Sequence, residues 1–209
     1  MKEISFNLKE SPFSDFFTSR LSISARIDVN KTWEYTKEND LSFFIVSLGF
    51  LLKSLNSVPE LRRRIINNKI IEFKELNGIT PIIDEDNFLE MEVPAPLKNE
   101  SINKWYNRVL KIQESLLDNY DLSYSVEMDK RDTEPIANFS CIPWVDFESI
   151  DNAIATPHQM QPLVTWGKVS PKGDMTVTLA TNHIFVYGKQ MGEFYEKTQE
   201  YFNLNDFNE

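Results

Sequence analysis

Cysteine is nearly absent: Cys141 is the only one in 209 residues, which excludes an intrachain disulfide and any cysteine-rich zinc site. Glycine is scarce at 6 residues, and no Gly/Ser linker, low-complexity tract or internal repeat divides the chain, so one domain over residues 1–209 is expected. Positive charge is in deficit, 22 basic against 32 acidic residues, and the resulting net charge of -10 would repel a polyphosphate backbone, which argues against a nucleic-acid partner. No apolar run approaches the roughly 20 residues needed to cross a bilayer. The segment Met1-Lys2-Glu3-Ile4-Ser5-Phe6 lacks the basic-then-apolar pattern of a signal peptide, so a cytoplasmic protein without a membrane partner is expected. The N-x-S/T triplets at Asn30, Asn99 and Asn138 carry little meaning without export. What the chain does have is apolar mass: 41% hydrophobic residues with 15 Phe and 4 Trp, enough for a full core.

Strands and helices alternate along the sequence. Leu21, Ile23, Ala25, Ile27 and Val29 alternate with polar residues, the pattern of a strand with one buried face. Asp40 is expected to cap a helix whose apolar residues, Leu41, Phe44, Ile45, Leu48, Leu51, Leu52 and Leu55, keep helical spacing. Pro59 ends or restarts it, and Arg62-Arg63-Arg64 reads as a solvated basic turn. Strands are expected at Ile70 to Phe73, Ile79 to Ile83 and Phe88 to Val93, then a helix from Ser101 to Tyr120 and a polar surface excursion from Asp121 to Pro135. Three more strands follow, Ile136 to Ile142, Leu163 to Val169 and Met175 to Thr181, with Lys172-Gly173-Asp174 as the tight turn between the last two. A final helix runs from about Gly188 to Phe202. The expected fold is an α/β two-layer sandwich: a largely antiparallel mixed sheet with helices packed mainly on one face.

Only two histidines exist, His158 and His183. His158 sits in a polar loop, Thr156-Pro157-His158-Gln159, and reads as a surface or packing residue. His183 closes a strand and precedes a helix, a rigid platform suited to a general base. Near Ser140 and Cys141 two readings stand. Cys141 with His183 could form a thiol-imidazole pair. If Phe139 and Cys141 instead share the buried face of one strand, Cys141 is inert and Ser140 faces the other side, where a pocket could lie. No Gly-x-Ser-x-Gly elbow surrounds Ser140.

Four segments resemble the chloramphenicol acetyltransferase family, in the same order and at similar spacing. Ser140-Cys141-Ile142-Pro143-Trp144-Val145-Asp146-Phe147-Glu148-Ser149 is similar to its S-x-x-P-W-V-x-F-x-S stretch. Pro162-Leu163-Val164-Thr165-Trp166-Gly167-Lys168 is similar to its A-P-x-x-T-x-G/A-K strand. Thr181-Asn182-His183-Ile184-Phe185-Val186-Tyr187-Gly188 stands where the family has H-H-x-x-x-D-G, and Asn56-Ser57-Val58-Pro59-Glu60-Leu61-Arg62 resembles its N-x-x-x-E-[LF]-R turn. The resemblance implies an acetyl-CoA-dependent O-acetyltransferase without a metal, acting on a hydroxyl of chloramphenicol or another small molecule. It implies His183 as general base, Ser140 as oxyanion donor and Thr165 as the residue holding a water in the transition state. Lys168, near the coenzyme phosphates, and Trp144 are assigned to acetyl-CoA. A homotrimer with active sites at the subunit interfaces is implied, Phe13, Phe16, Phe17 and Leu21 being candidates for an acceptor wall.

The departures from the family pattern are specific. Asn182 replaces the first motif histidine and Tyr187 the motif aspartate, while Phe13 stands roughly where the aspartate's arginine partner would be. Removing one partner of a buried ion pair costs roughly 3–5 kcal/mol, whereas replacing both by apolar groups can be near neutral. The fold is therefore expected to survive with Phe13 set against Tyr187. The substitutions also leave open a second reading, a trimeric relative that binds coenzyme A or a small ligand without efficient transfer.

Overall fold

The computed structural model describes residues 1–127, 130–157, 159–204 and 206–207. Four segments with period-2 or continuous apolar character pair early and late parts of the chain. They are β2 (Arg20–Asp28), β7 (Ile136–Ile142), β8 (Leu163–Gly167) and β9 (Asp174–Asn182); β1 (Lys2–Glu3) precedes them. With β5 (Asn77–Asp84) and β6 (Asn87–Val93) they form a six-stranded sheet in the order β2-β9-β8-β7-β5-β6. Pairing is parallel for β5 with β7 and for β7 with β8, and antiparallel elsewhere. A smaller sheet, β1-β4-β3, adds β3 (Arg63–Ile66) and β4 (Lys69–Glu72).

Register divides the large sheet into two unlike faces. Met175, Val177 and Leu179, with Val164, Trp166, Ala137 and Phe139 from neighbouring strands, join the buried hydrophobic cluster. That face receives the helices α1 (Asn30–Glu38), α2 (Phe43–Ser57), α3 (Ile102–Asp118) and α4 (Gly188–Leu204). The other face carries hydroxyls: Ser24 opposite Thr178, Thr178 opposite Thr165, and Thr165 opposite Ser140. Across it lies the connection from β7 to β8, held by Arg26, which reaches Asp146 at 2.6 Å and Glu148 at 2.7 Å. The two-layer α/β arrangement with a largely antiparallel mixed sheet is thus the observed fold. Among the described residues, no helix is long and apolar enough to cross a membrane.

Helix α2 is the centre of the helical layer, and ten of its residues are buried, including Leu48, Gly49, Phe50 and Leu52. Its cap differs from expectation. Ser42 Oγ, not Asp40, accepts from the Ile45 amide. Asp40 has a φ of 54°, which places it in the turn that follows α1. Helix α1 itself has no apolar stripe to announce it, because its buried residues are Thr32 and Thr36. The turn expected at Lys172-Gly173-Asp174 is present, with Gly173 at φ 81°.

The basic run is a second correction. Arg63 and Arg64 belong to strand β3, and Arg64 is fully buried. Its guanidinium donates to the carbonyls of Leu61 (3.1 Å), Arg63 (2.9 Å) and Ile136 (3.0 Å), and burial lowers it to about 10. Arg63 pairs with Glu60 and Glu72, and Arg62 donates to the Phe73 carbonyl. Arg64 thus ties the small sheet to β7 of the large one, while Arg62 and Arg63 bind groups in and beside the small sheet.

Candidate active site

His183 follows the last residue of β9, and its geometry is set by main-chain groups. Its amide donates to the Ser19 carbonyl at 2.5 Å, extending the pairing of Arg20 with Asn182 one step further. Asn182 Oδ1 accepts from the Ile184 amide at 2.8 Å, a side-chain-closed turn that starts the link to α4. Within that turn His183 Nδ1 lies 2.7 Å from the Val186 carbonyl oxygen. A carbonyl can only accept, so Nδ1 carries a proton, which in the neutral ring leaves the lone pair on Nε2. The half-buried imidazole is flanked by two aromatic rings. Phe13 stacks on it with centroids 3.7 Å apart and planes 15° apart, and Tyr187 meets it edge-on at 5.3 Å and 67°. Phe13 and Tyr187 lie 5.9 Å from each other, so the two departures from the family pattern share one neighbourhood.

Ser140 is half-buried on the hydroxyl face of β7 and lines a cavity of about 460 Å³. Ile79, Pro81, Phe88 and Ile154 give this cavity apolar walls, and Asn138, Gln161 and the Arg131–Glu90 pair add polar ones. Thr165, the register partner of Ser140, is fully buried, and its hydroxyl donates to Asn152 Oδ1 at 2.9 Å. The Asn152 side-chain nitrogen is buried without a partner.

Lys168 and Trp144 meet on the other face of β7. Both line a cavity of about 620 Å³ together with Trp33, Phe44, Cys141 and Trp166. Trp144 is 75% exposed on the turn after β7, and the Lys168 amide donates to the Val145 carbonyl at 3.0 Å, which closes that turn on β8. The lining is mostly aromatic and aliphatic, with the exposed Lys168 as its cation. Cys141 faces this side, opposite Ser140, and burial pushes its thiol up to about 12. That environment holds the sulfur as a neutral thiol, the inert-core alternative of the two weighed from the sequence.

His183 and Ser140 do not meet within one chain. Ser140 is level with Thr165 and Thr178, and His183 lies five residues beyond Thr178 along β9. At about 3.3 Å per residue and about 4.8 Å per strand, the two positions are some 17 Å apart along the sheet and some 10 Å across it, roughly 19 Å in all. A hydrogen-bonded reaction centre needs donor and acceptor about 3 Å from the reacting atom. His158, the other histidine, lies outside the described residues.

Several participants escape a reading of the sequence. The Val186 and Ser19 carbonyls carry no side-chain signal at all. Asn152 was unremarkable in a polar stretch, and the contact of Phe13 with the imidazole joins residues 170 positions apart. Only the alignment of Phe13 with a missing arginine could have directed attention to it.

Comparison with known proteins gives a consistent relationship. Residues 8–199 match the family model described as chloramphenicol acetyltransferase. A chloramphenicol acetyltransferase of Bacillus pumilus is 23% identical over 203 residues, covering 93% of this chain and 90% of the relative. Chloramphenicol acetyltransferase 3 of Escherichia coli is 20% identical over 197 residues, covering 90% of each. Among solved structures, a chloramphenicol acetyltransferase superposes with a TM-score of 0.79 at 22% identity, covering 95% of this chain and 96% of that one. A probable dihydrolipoamide acetyltransferase from Listeria monocytogenes gives 0.66 at 15% identity over 98% and 95%. With a match this long, and with its histidine turn and serine strand in the order the resemblance requires, the chain belongs to the chloramphenicol acetyltransferase family of acyltransferases.

Proposed function

We propose that this protein transfers an acetyl group from acetyl-CoA to a hydroxyl of chloramphenicol or a similar small molecule, as a homotrimer whose site is shared between two copies. The observation that carries the reading is His183: one ring nitrogen is tied to the Val186 carbonyl, and the other is left as a base at the end of a rigid strand. A thioester is already activated, so no covalent nucleophile is required. His183 Nε2 takes the proton of the acceptor hydroxyl as its oxygen bonds to the thioester carbonyl carbon. Ser140 donates to the carbonyl oxygen as it becomes negative. The carbon–sulfur bond then breaks, and coenzyme A leaves with the proton from His183. Because roughly 19 Å separates the base from the serine in one chain, a second copy supplies one of them.

The residues lining the 620 Å³ cavity fit the coenzyme. Its apolar wall suits a pantetheine arm, and Lys168 offers local positive charge to phosphates in a protein of net charge -10. The cavity beside Ser140 lies across strand β7 and suits the acceptor, and Pro81 lines both. Thr165 is placed beside the same serine, and its hydroxyl oxygen keeps acceptor capacity for a water.

The test is release of free thiol from acetyl-CoA, with chloramphenicol and then a panel of hydroxylated compounds. Release in the parent, reduced about 10²–10⁴-fold in His183→Ala, is expected. Release with no acceptor on the panel above the His183→Ala background refutes the reaction. Coenzyme binding without any His183-dependent release would establish the non-catalytic alternative.

A further inference from the structure

An ion pair is set into the wall of the cavity beside Ser140. Glu90 Oε2 accepts from Arg131 Nη2, both side chains are half-buried, and both line the 460 Å³ space. We infer that this cavity takes a neutral polyhydroxylated molecule, a sugar or polyol, with one hydroxyl at Ser140 and a second held between Glu90 and Arg131. The inference rests on this cavity being the acceptor's, and it names the acceptor's class.

Strand register places the pair. Pro81 is opposite Glu90, and the pairing of Ile79 with Asn138 puts Pro81 level with Ser140. Directly paired residues share a face of a sheet, as do residues two apart, so Glu90, Asn138 and Ser140 all point to the hydroxyl side. At about 4.8 Å per strand the backbones of Glu90 and Ser140 lie about 10 Å apart, leaving between their side chains room for one six-membered ring.

The polar atoms left over are of both kinds. Gln161 Nε2 donates to the Arg131 carbonyl at 2.7 Å, so Gln161 Oε1 accepts from Asn138 Nδ2 at 3.1 Å and the Asn138 carbonyl oxygen is left over. Glu90 Oε1, Asn138 Oδ1, the Ser140 hydroxyl and Arg131 Nη1 have no partner among the described residues. Asp132, the third charged residue on this wall, already holds the Met160 and Gln161 amides with its two oxygens. A hydroxyl both donates and accepts, so one ligand hydroxyl can bridge Glu90 Oε1 and Arg131 Nη1. A carboxylate there would face Glu90 and an ammonium would face Arg131, so the pair favours neither charge. Phe88, 68% exposed on the same wall, offers a flat apolar face to the C–H side of a sugar ring.

The experiment measures thiol release from acetyl-CoA by the full-length protein. The acceptors are methyl pyranosides and inositols, set against cyclohexanol, a ring with one hydroxyl, and glucuronate, which adds a carboxylate. The best polyol should exceed both by at least about tenfold in kcat/KM. Glu90→Gln should cut the preference over cyclohexanol about tenfold, mainly through KM for the polyol. Because that variant leaves Arg131 unpaired, Glu90→Leu combined with Arg131→Met removes both charges together and should erase the preference. Cyclohexanol or glucuronate serving as well as the best polyol overturns the inference, as does a folded double variant that keeps the parent's preference. Transfer to chloramphenicol with none to any polyol overturns it while upholding the transferase reading. No thiol release with any acceptor refutes that reading, and saturation-transfer NMR with the same polyols then decides the ligand class. A polyol signal in the parent that is lost in the double variant upholds the inference; a signal absent from the parent, or kept in the double variant, overturns it.

Discussion

Mixing two inactive variants of the chain tests where its reaction centre is assembled. Ser140→Ala removes the proposed oxyanion donor, for an expected loss of about 10²–10³ in rate. His183→Ala removes the proposed base, for an expected loss of about 10²–10⁴. Register puts the two positions roughly 19 Å apart in one chain, too far for both to touch one reacting carbon. In the proposed cyclic trimer each site would take its histidine from one copy and its serine from the next. If equal amounts of the variants are coexpressed with different tags and assemble at random, half the histidines and half the serines are intact. About one quarter of the sites combine an intact pair, so the mixture should recover about a quarter of the parent's thiol release. That is at least about 25-fold above the better variant alone, given a hundredfold loss in each. A mixture whose rate is merely the average of the two variants would refute the argument, since it would put both groups in the same chain. A solution mass of one chain for the parent would refute it equally.

Three further outcomes follow from packing and burial. Gly49 lies in α2 where an added Cβ would stand 2.6 Å from Trp105 Cζ3, so Gly49→Ala should destabilise the fold by about 1–3 kcal/mol in urea titration, although alanine is the better helix former. A more stable variant would contradict the close approach of α2 and α3. At Gly167 an added Cβ would meet Phe147 Cε1 at 2.8 Å and the Val145 carbonyl at 2.9 Å, displacing the turn that carries Trp144. If the turn belongs to the proposed coenzyme site, Gly167→Ala should weaken coenzyme A binding in calorimetry by about tenfold, and unchanged affinity would remove that turn from the site. Burial of Cys141 raises its thiol to about 12, so Ellman's reagent should label the native protein far more slowly than the unfolded chain at pH 8. The unfolded thiol ionises first as pH rises past about 8.5, so the unfolded state then holds fewer protons and stability falls above that value. Rapid native labelling would show that the sulfur is not buried as described.

The elements that could be read from the sequence are those whose side-chain pattern follows a simple rule. Helical spacing in α3 reflects one apolar face, α2 is apolar enough to be buried along most of its length, alternation located β2 although its Ile23 stays 36% exposed, and Gly173 marks its turn by a positive φ. Helix α1 was illegible because it buries threonines, and Thr32 earns its place through a hydrogen bond to the Phe202 carbonyl, 170 residues away. Strand β3 was hidden because three consecutive arginines look solvated. Arg64 tolerates burial only because carbonyls from three residues converge on it.

The candidate site divides along the same line. His183, Ser140, Thr165, Lys168 and Trp144 were nameable because side-chain identity at set spacing carries a family likeness. By itself the sequence determined which chemical groups are available, and that an arginine and an aspartate of the family pattern are missing together. Tertiary structure decided the rest. It placed Cys141 and Ser140 on opposite faces of one strand, set Phe13 flat on the imidazole, and left His183 far from Ser140. The physical reason is that strand register and main-chain carbonyls, which no residue type encodes locally, determine which groups can touch.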